Sequence, residues 1–158
     1  MFETFSESAR RVAFWARLEA GRSGSEFIQP EHLLEGLLAE DQRDWVRALG
    51  FIDETVAMEK LAALSRPFLS REQAEKLRQM MATAGGPLAP KPDTMDMPLA
   101  PSAKLALETS QENAGGSTVT LLHLLLALIS DEQSSVGNIL KLTGITRAQI
   151  QDAIRNQQ

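Results

Sequence analysis

Two stretches of the chain decide its fold: residues 30–38 read PEHLLEGLL, and residues 121–129 read LLHLLLALI. His32 and His123 occupy the same place in the two stretches, at an offset of 91 residues. In both stretches apolar residues recur three and four positions apart, the spacing that lines one face of a helix. A repeated apolar helix of this kind indicates an internal duplication, which changes the predicted fold.

A second match supports the duplication. Residues 8–10 read SAR and residues 102–104 read SAK, at an offset of 94. Because the two matches keep their order, each half of the chain is predicted to hold the same series of helices. The difference of three between the offsets predicts a shorter loop between the paired helices of the second half.

The rest of the chain also has a helical pattern, since Ala, Leu, Glu, Gln and Arg dominate and apolar residues do not alternate. The predicted helices begin at cap residues, at prolines suited to a first turn, or at capping boxes. These starts are Ser6, Pro30, Asp53, Ser70 with Gln73, Pro101, Thr120, and Thr146 with Gln149. A short helix with Trp45, Val46 and Leu49 precedes the one capped by Asp53.

The sequence therefore predicts one domain over residues 1–158, an all-α pseudo-twofold bundle of two four-helix repeats. Residues 1–66 form the first repeat and residues 99–158 the second. Residues 67–98 between them are expected to hold one polar helix and a linker, because four of the seven prolines fall in its last part, residues 85–98.

Composition excludes several classes of function. The chain has no Cys and only two His, which excludes thiolate and three-histidine metal sites. A formal net charge of −5 argues against a general nucleic-acid binder. No apolar run approaches the roughly 20 residues needed to span a bilayer, and the acidic N-terminus does not resemble a signal peptide. We expect a cytoplasmic protein with no metal and no cofactor.

Two motifs then identify a resemblance. The opening MFETFSESARRV of residues 1–12, followed by PEHLLEGLL of residues 30–38, resembles the N-terminal repeat domain of the Clp/Hsp100 unfoldases. The second repeat has the same form, with PSAK at residues 101–104 and HLLLAL at residues 123–128. The opening is most similar to the Clp C-type proteins, and the resemblance is weakest over residues 66–98.

The resemblance implies a non-catalytic module that docks adaptor proteins or captures substrate proteins for a Clp-type unfoldase. The chain has no phosphate-binding G-x-x-x-x-G-K-[ST] stretch and no G-x-S-x-G nucleophile motif, so we expect no enzyme activity. The expected partners are an adaptor, the unfoldase ring, or an unfolded or arginine-phosphorylated substrate, bound by a monomer. The chain is either the N-terminal part of a longer unfoldase or a free-standing protein.

The resemblance also implies four binding residues. Glu31, just before the first repeated histidine, corresponds to the acid that pairs with the guanidinium of phosphorylated arginine. Phe2, Arg10 and Arg11 correspond to the surface used by adaptors. Two departures bear on Glu31: Gln29-Pro30 replaces a Gly-Thr pair, and the equivalent residue of the second repeat is Leu122. At most one such site is therefore expected.

Two other interpretations stay open. The paired histidines suggest a duplicated functional site, although hydrogen bonds between helices inside each repeat are the more common role for such residues. The segment Gly144-Ile145-Thr146-Arg147 enters a capped helix as helix-turn-helix units do, with Gln149 and Gln151 placed to read bases. The alternative function is thus a helical DNA-binding regulator.

Overall fold

The computed structural model describes residues 3–43, 67–82 and 97–157. These ranges contain helices, their connections and two isolated β-bridges, which confirms the all-α prediction. The predicted helices within residues 45–64 and most of the Gly/Pro linker lie outside the described residues. The helices are α1 (Glu7–Arg22), α2 (Pro30–Gln42), α3 (Arg71–Ala82), α4 (Pro101–Ala114), α5 (Leu121–Ser130), α6 (Ser135–Leu142) and α7 (Arg147–Gln157).

Pro30 and Pro101 begin α2 and α4, and Thr120 precedes α5, as predicted, while Asp53 lies outside the described residues. Three other predicted starts are confirmed by their hydrogen bonds. The Ser6 hydroxyl caps α1. Before α3, the Gln73 side chain accepts from the Ser70 N–H and the Ser70 hydroxyl accepts from the Gln73 N–H, both at 3.1 Å. Thr146 and Gln149 exchange the same pair of bonds at 3.2 Å before α7. Each box satisfies amides that the first turn of a helix leaves unpaired.

The two helices that carry the repeated motif lie at the centre of the bundle. α2 contacts α5, α1 packs on α2, and α4 and α7 pack on α5. One continuous core joins both repeats, and each buried leucine contributes about 1.5–3 kcal/mol to it. The central side chains are Leu33, Leu34, Leu37 and Leu38 from α2 with Leu124, Leu125, Leu128 and Ile129 from α5.

Two short parallel β-bridges tie the repeats together across the pseudo-twofold axis. Phe5, just before α1, pairs with Val119, just before α5. Ile28, just before α2, pairs with Leu99, just before α4. In each repeat, the segment before the first helix thus pairs with the segment before the central helix of the other repeat.

The hydrogen bonds of the two bridges correspond one to one under the offsets of 94 and 91. In the first bridge, Ser6 N–H donates to Val119 O at 2.9 Å and Val119 N–H to Thr4 O at 2.8 Å. In the second, Ala100 N–H donates to Ile28 O and Ile28 N–H to Pro98 O, both at 2.9 Å. The pseudo-twofold arrangement predicted from the motifs is confirmed at the level of backbone atoms.

The prediction that the loop between the paired helices accounts for the whole three-residue difference between the offsets is only partly correct. α4 has 14 residues and α1 has 16, although the two helices begin at equivalent positions. The remaining residue is lost from the connection, residues 115–120 against 23–29. Gly115, with φ of 56°, ends α4 in the left-handed conformation that glycine adopts without strain.

α1 and α2 approach closely at Gly36. A Cβ on this residue would lie 2.5 Å from the Val12 carbonyl oxygen and 3.0 Å from the Ala16 nitrogen, so no side chain fits there. The equivalent residue of the second repeat, 91 positions on, is Ala127. The second helix pair therefore accepts a methyl group at the position where the first pair does not.

Candidate functional site

Glu31 lies in the first turn of α2, next to the start of α6 in the other repeat. Its Oε1 accepts a hydrogen bond of 2.7 Å from the Ser135 hydroxyl, on the first residue of α6. A carboxylate in a first helical turn is stabilised by the helix dipole. The residue predicted from the family motif thus lies at the junction of the two repeats, which its sequence position did not indicate.

A polar surface depression of about 300 Å³ surrounds this contact. Two carboxylates, Glu31 and Asp131, lie on its wall together with the hydroxyls of Ser102, Ser134 and Ser135. Carboxylates form paired, charge-assisted hydrogen bonds with guanidinium groups. Hydroxyls donate to anionic oxygens. The depression therefore offers partners both to a guanidinium and to an anionic group attached to it.

Arg11 does not lie beside Glu31. Its Nε donates to Glu40 Oε1 at 2.6 Å, and the Trp15 indole N–H donates to Glu40 Oε2 at 3.3 Å. Burial raises the pKa of Glu40, while the bonds from Arg11 and Trp15 lower it. Because Glu31 and Glu40 are nine residues apart on one helix, about 13 Å separates them along its axis.

The other residues of the expected adaptor surface lie at the start of the chain. Arg10 donates from Nη2 to the Glu3 carbonyl oxygen at 3.3 Å. Phe5, just before the start of α1, is buried in the core and does not belong to an exposed surface. Trp15 is likewise buried. Phe2 lies outside the described residues, so the structure brings Arg10 and Arg11 together on α1 but not with Glu31.

The two histidines cap their own helices. The Gln29 N–H donates to His32 Nδ1 at 2.9 Å, and the Thr120 N–H donates to His123 Nδ1 at 3.0 Å. His32 Nε2 also lies 3.2 Å from the Ser23 hydroxyl, which links α2 to the end of α1. Burial lowers the pKa of both imidazoles, which favours the neutral form that accepts at Nδ1. These bonds support the structural role.

A second concavity, an apolar groove between α4 and α5, was not anticipated from the sequence. It has a volume of about 250 Å³ and continues into the Glu31 depression, since both share Pro30, Ser102, Asp131 and Ser134. Leu105, Ala106 and Thr109 of α4 form one wall, and the C-terminal end of α5 forms the other. Leu105 is 57% exposed there, although the sequence groups it with the apolar residues of its helix.

An acidic pair, Glu19 of α1 and Glu35 of α2, joins the two helices one helical turn from Glu31. Glu35 bonds to Glu19, and Glu31 and Arg78 are the other charged groups that act on it. Burial is the largest cause that raises the pKa of Glu35 to about 7, and repulsion from Glu19 adds to it. The raised pKa favours the protonated form of Glu35 below about pH 7.

Other features of the described ranges bear on the remaining interpretations. They contain no cluster of three or more His, Asp or Glu side chains placed to hold a metal ion. None of their helices combines the length and apolar character needed to cross a bilayer. The Gln149 side chain is occupied by the capping box of α7, so the residue that the DNA-binding interpretation assigns to base reading has a structural partner.

Comparisons with known proteins agree with this architecture. No family model matches the chain. The chaperone protein ClpD2 of Oryza sativa subsp. japonica, which is chloroplastic, is 28% identical over 153 residues, covering 95% of this chain and 15% of the relative. The chloroplastic ClpC of Pisum sativum is 28% identical over 152 residues, covering 91% and 14%. The chain thus spans about 15% of the length of these relatives.

Solved structures show the same fold. The N-terminal domain of the chaperone ClpD from Arabidopsis thaliana superposes with a TM-score of 0.68 at 22% identity, covering 98% of this chain and 99% of that one. The Hsp104 N-terminal domain from Candida albicans gives 0.59 at 17% identity, covering 92% and 85%. The chain is therefore homologous, over nearly its whole length, to the N-terminal regions of Clp chaperones and has the fold of the ClpD and Hsp104 N-terminal domains.

Proposed function

We propose that this domain is a non-catalytic protein-binding module that docks adaptors or captures substrate proteins for a Clp-type unfoldase. The observation that carries the proposal is the polar depression at the repeat junction, in a chain homologous to Clp chaperone N-terminal regions. The domain acts as a cytoplasmic monomer without a cofactor. Neither the geometry nor the relatives favour the DNA-binding alternative.

Glu31 is proposed to recognise arginine on the bound protein, including phosphorylated arginine. Its carboxylate and that of Asp131 face the same depression and supply the negative charge that a guanidinium requires. The hydroxyls of Ser102, Ser134 and Ser135, whose residues line the same depression, are proposed to donate to phosphoryl oxygens. Binding replaces the 2.7 Å bond between Ser135 and Glu31 with bonds to the ligand.

This site is confined to the first of the two repeats. Leu122 stands where the twofold axis would place a second copy of Glu31, and it is buried in the core. A leucine offers no hydrogen-bond acceptor to a guanidinium. One arginine is therefore bound per domain.

Adaptor docking is proposed to use Phe2, Arg10 and Arg11, at the start of the chain. Arg10 and Arg11 lie in the first turns of α1, and the Arg11 side chain is 39% exposed beside Glu40. Arginine and aromatic side chains are frequent anchors of protein interfaces. Because Arg11 lies beside Glu40, about 13 Å along α2 from Glu31, adaptor and substrate have separate sites.

The test is a titration of the domain with a fluorescein-labelled octapeptide that contains one phosphoarginine. Glu31→Gln should weaken its binding at least about tenfold, since hydrogen bonds to charged groups contribute about 1.5–3 kcal/mol. Glu75→Gln, at an exposed acid of α3, is the matched control and should leave the affinity unchanged. Equal affinity of the wild type and Glu31→Gln would remove Glu31 from the site.

A further inference from the structure

The groove between α4 and α5 has a counterpart in the first repeat that is already filled. Offsets of 94 on the first helix and 91 on the second relate Thr109 to Trp15, Leu105 to Arg11, and Asp131 to Glu40. In the first repeat the indole of Trp15 packs between α1 and α2 and donates to Glu40, which also binds Arg11. An aromatic ring, a carboxylate and a guanidinium thus form one unit there.

The second repeat keeps the carboxylate and lacks the other two groups. Thr109 is far smaller than tryptophan, and Leu105 carries no charge, so the space between the helices is open rather than filled. Its volume of about 250 Å³ exceeds the roughly 150 Å³ of a cavity that accepts benzene. A groove of that volume is large enough for one aromatic ring.

Asp131 lies where the groove meets the Glu31 depression. Its Oδ1 accepts from the Gln133 N–H at 3.2 Å. Among the described residues no hydrogen-bond donor reaches its other carboxylate oxygen, so that oxygen is free for an indole or guanidinium N–H. Glu31 adds a second negative charge in the adjoining depression.

We propose that the α4–α5 groove binds an aromatic side chain of a partner polypeptide, one or two residues away from an arginine that occupies the Glu31 depression. The occupant reproduces in the second repeat the contacts that Trp15 and Arg11 make with Glu40 in the first. This inference rests on the proposed function, and it adds a sequence preference to it: arginine with an aromatic neighbour. Residues two apart in an extended segment are about 6.6 Å apart, which suits adjoining concavities.

The test compares two labelled octapeptides that differ at one position, Trp-Gly-phosphoarginine and Gly-Gly-phosphoarginine, by fluorescence anisotropy. The wild-type domain should bind the tryptophan peptide at least about tenfold more tightly. Thr109→Trp fills the groove from within, so it should bind both peptides with the affinity of the glycine peptide. Equal wild-type affinity for both peptides, or a tenfold preference that persists in Thr109→Trp, would overturn the proposal.

A second variant covers the case in which Thr109→Trp does not fold. Leu105→Ser removes part of the groove wall at an exposed position and should reduce the preference severalfold. Leu142→Ser is the matched control, because Leu142 is 68% exposed on α6 and outside the groove. If Leu105→Ser keeps the full preference, the groove is not the aromatic site.

The two proposals fail in different ways. Loss of binding in Glu31→Gln, without any preference for tryptophan in the wild type, supports the proposed function and overturns the groove assignment. If the wild type binds neither peptide, arginine recognition at Glu31 fails and the groove assignment fails with it.

Discussion

Gly36→Ala tests the close packing of α1 against α2. On an exposed helix this substitution stabilises by about 1 kcal/mol, because alanine has the higher helix propensity. Here the new Cβ would lie 2.5 Å from the Val12 carbonyl oxygen and 3.0 Å from the Ala16 nitrogen. Both are backbone atoms of α1, which no rotamer change can move aside.

The two helices must therefore separate by close to 1 Å to restore an ordinary contact distance. A gap of that size forfeits a quarter to a half of the dispersion energy of each contact along the interface. Overpacking of a core costs about 1–3 kcal/mol and occasionally more. With the propensity gain of about 1 kcal/mol subtracted, we expect a net loss of up to about 2 kcal/mol, or up to about 4–8 °C in Tm.

The assay is urea denaturation followed by far-UV circular dichroism, with the fluorescence of Trp15 as a local probe in a Trp45→Phe background, since the chain has two tryptophans. Ala127→Gly is the matched control at the equivalent position of the second repeat. It should cost about 1 kcal/mol in helix propensity, together with the burial of one methyl group. A Gly36→Ala domain that is more stable than the wild type would refute the close-packing argument.

Three further predictions concern titratable groups. Glu35→Gln should leave stability nearly unchanged at pH 4 and raise it by up to about 3 kcal/mol at pH 8. The pKa of Glu35 rises from 4.5 to about 7 on folding, so the stability that its protonated carboxyl contributes is lost as the pH rises from 4.5 through 7. Equal effects at the two pH values in urea titrations would contradict this prediction. Arg11→Met leaves the carboxylate of Glu40 without its cation and should lower the free energy of unfolding by about 1–3 kcal/mol at pH 8. The loss should be smaller at pH 5, because burial raises the pKa of Glu40 and protonation removes its charge. Chemical denaturation at the two pH values measures this difference. His123→Ala removes the acceptor that caps α5 and should lower the free energy of unfolding by about 1 kcal/mol at pH 8. The loss should be smaller below pH 6.5, because protonation of the wild-type imidazole, whose pKa burial lowers, removes the acceptor there too. Thermal melts in which the difference does not depend on pH would exclude the cap.

The local elements were predictable because their causes are local. Ser70 with Gln73 and Thr146 with Gln149 form capping boxes at the predicted positions, since the partners are three residues apart. The duplication was equally visible, because the offsets of 91 and 94 need only a comparison of the chain with itself. The same offsets relate the hydrogen bonds of the two β-bridges.

The candidate site was predictable only in part. The family motif pointed to Glu31, but its neighbour Ser135 is 104 residues away along the chain. The groove becomes evident only when unlike residues of the two repeats are aligned. Thr109 is inconspicuous by itself, and it stands out when it is aligned with Trp15 at an offset of 94. A search for residues that the two repeats share does not find Thr109, because this position matters through its difference from Trp15.

The sequence by itself determined the helices, their order and their duplication, because capping, periodicity and repetition depend on residues near one another or on identical patterns. Only the tertiary structure decided that Arg11 binds Glu40 rather than standing free, and that Glu31 meets the start of α6. It also decided where the chain leaves space. A groove is the difference between the volume that two helices enclose and the side chains that fill it, and that difference depends on the distance between the helices.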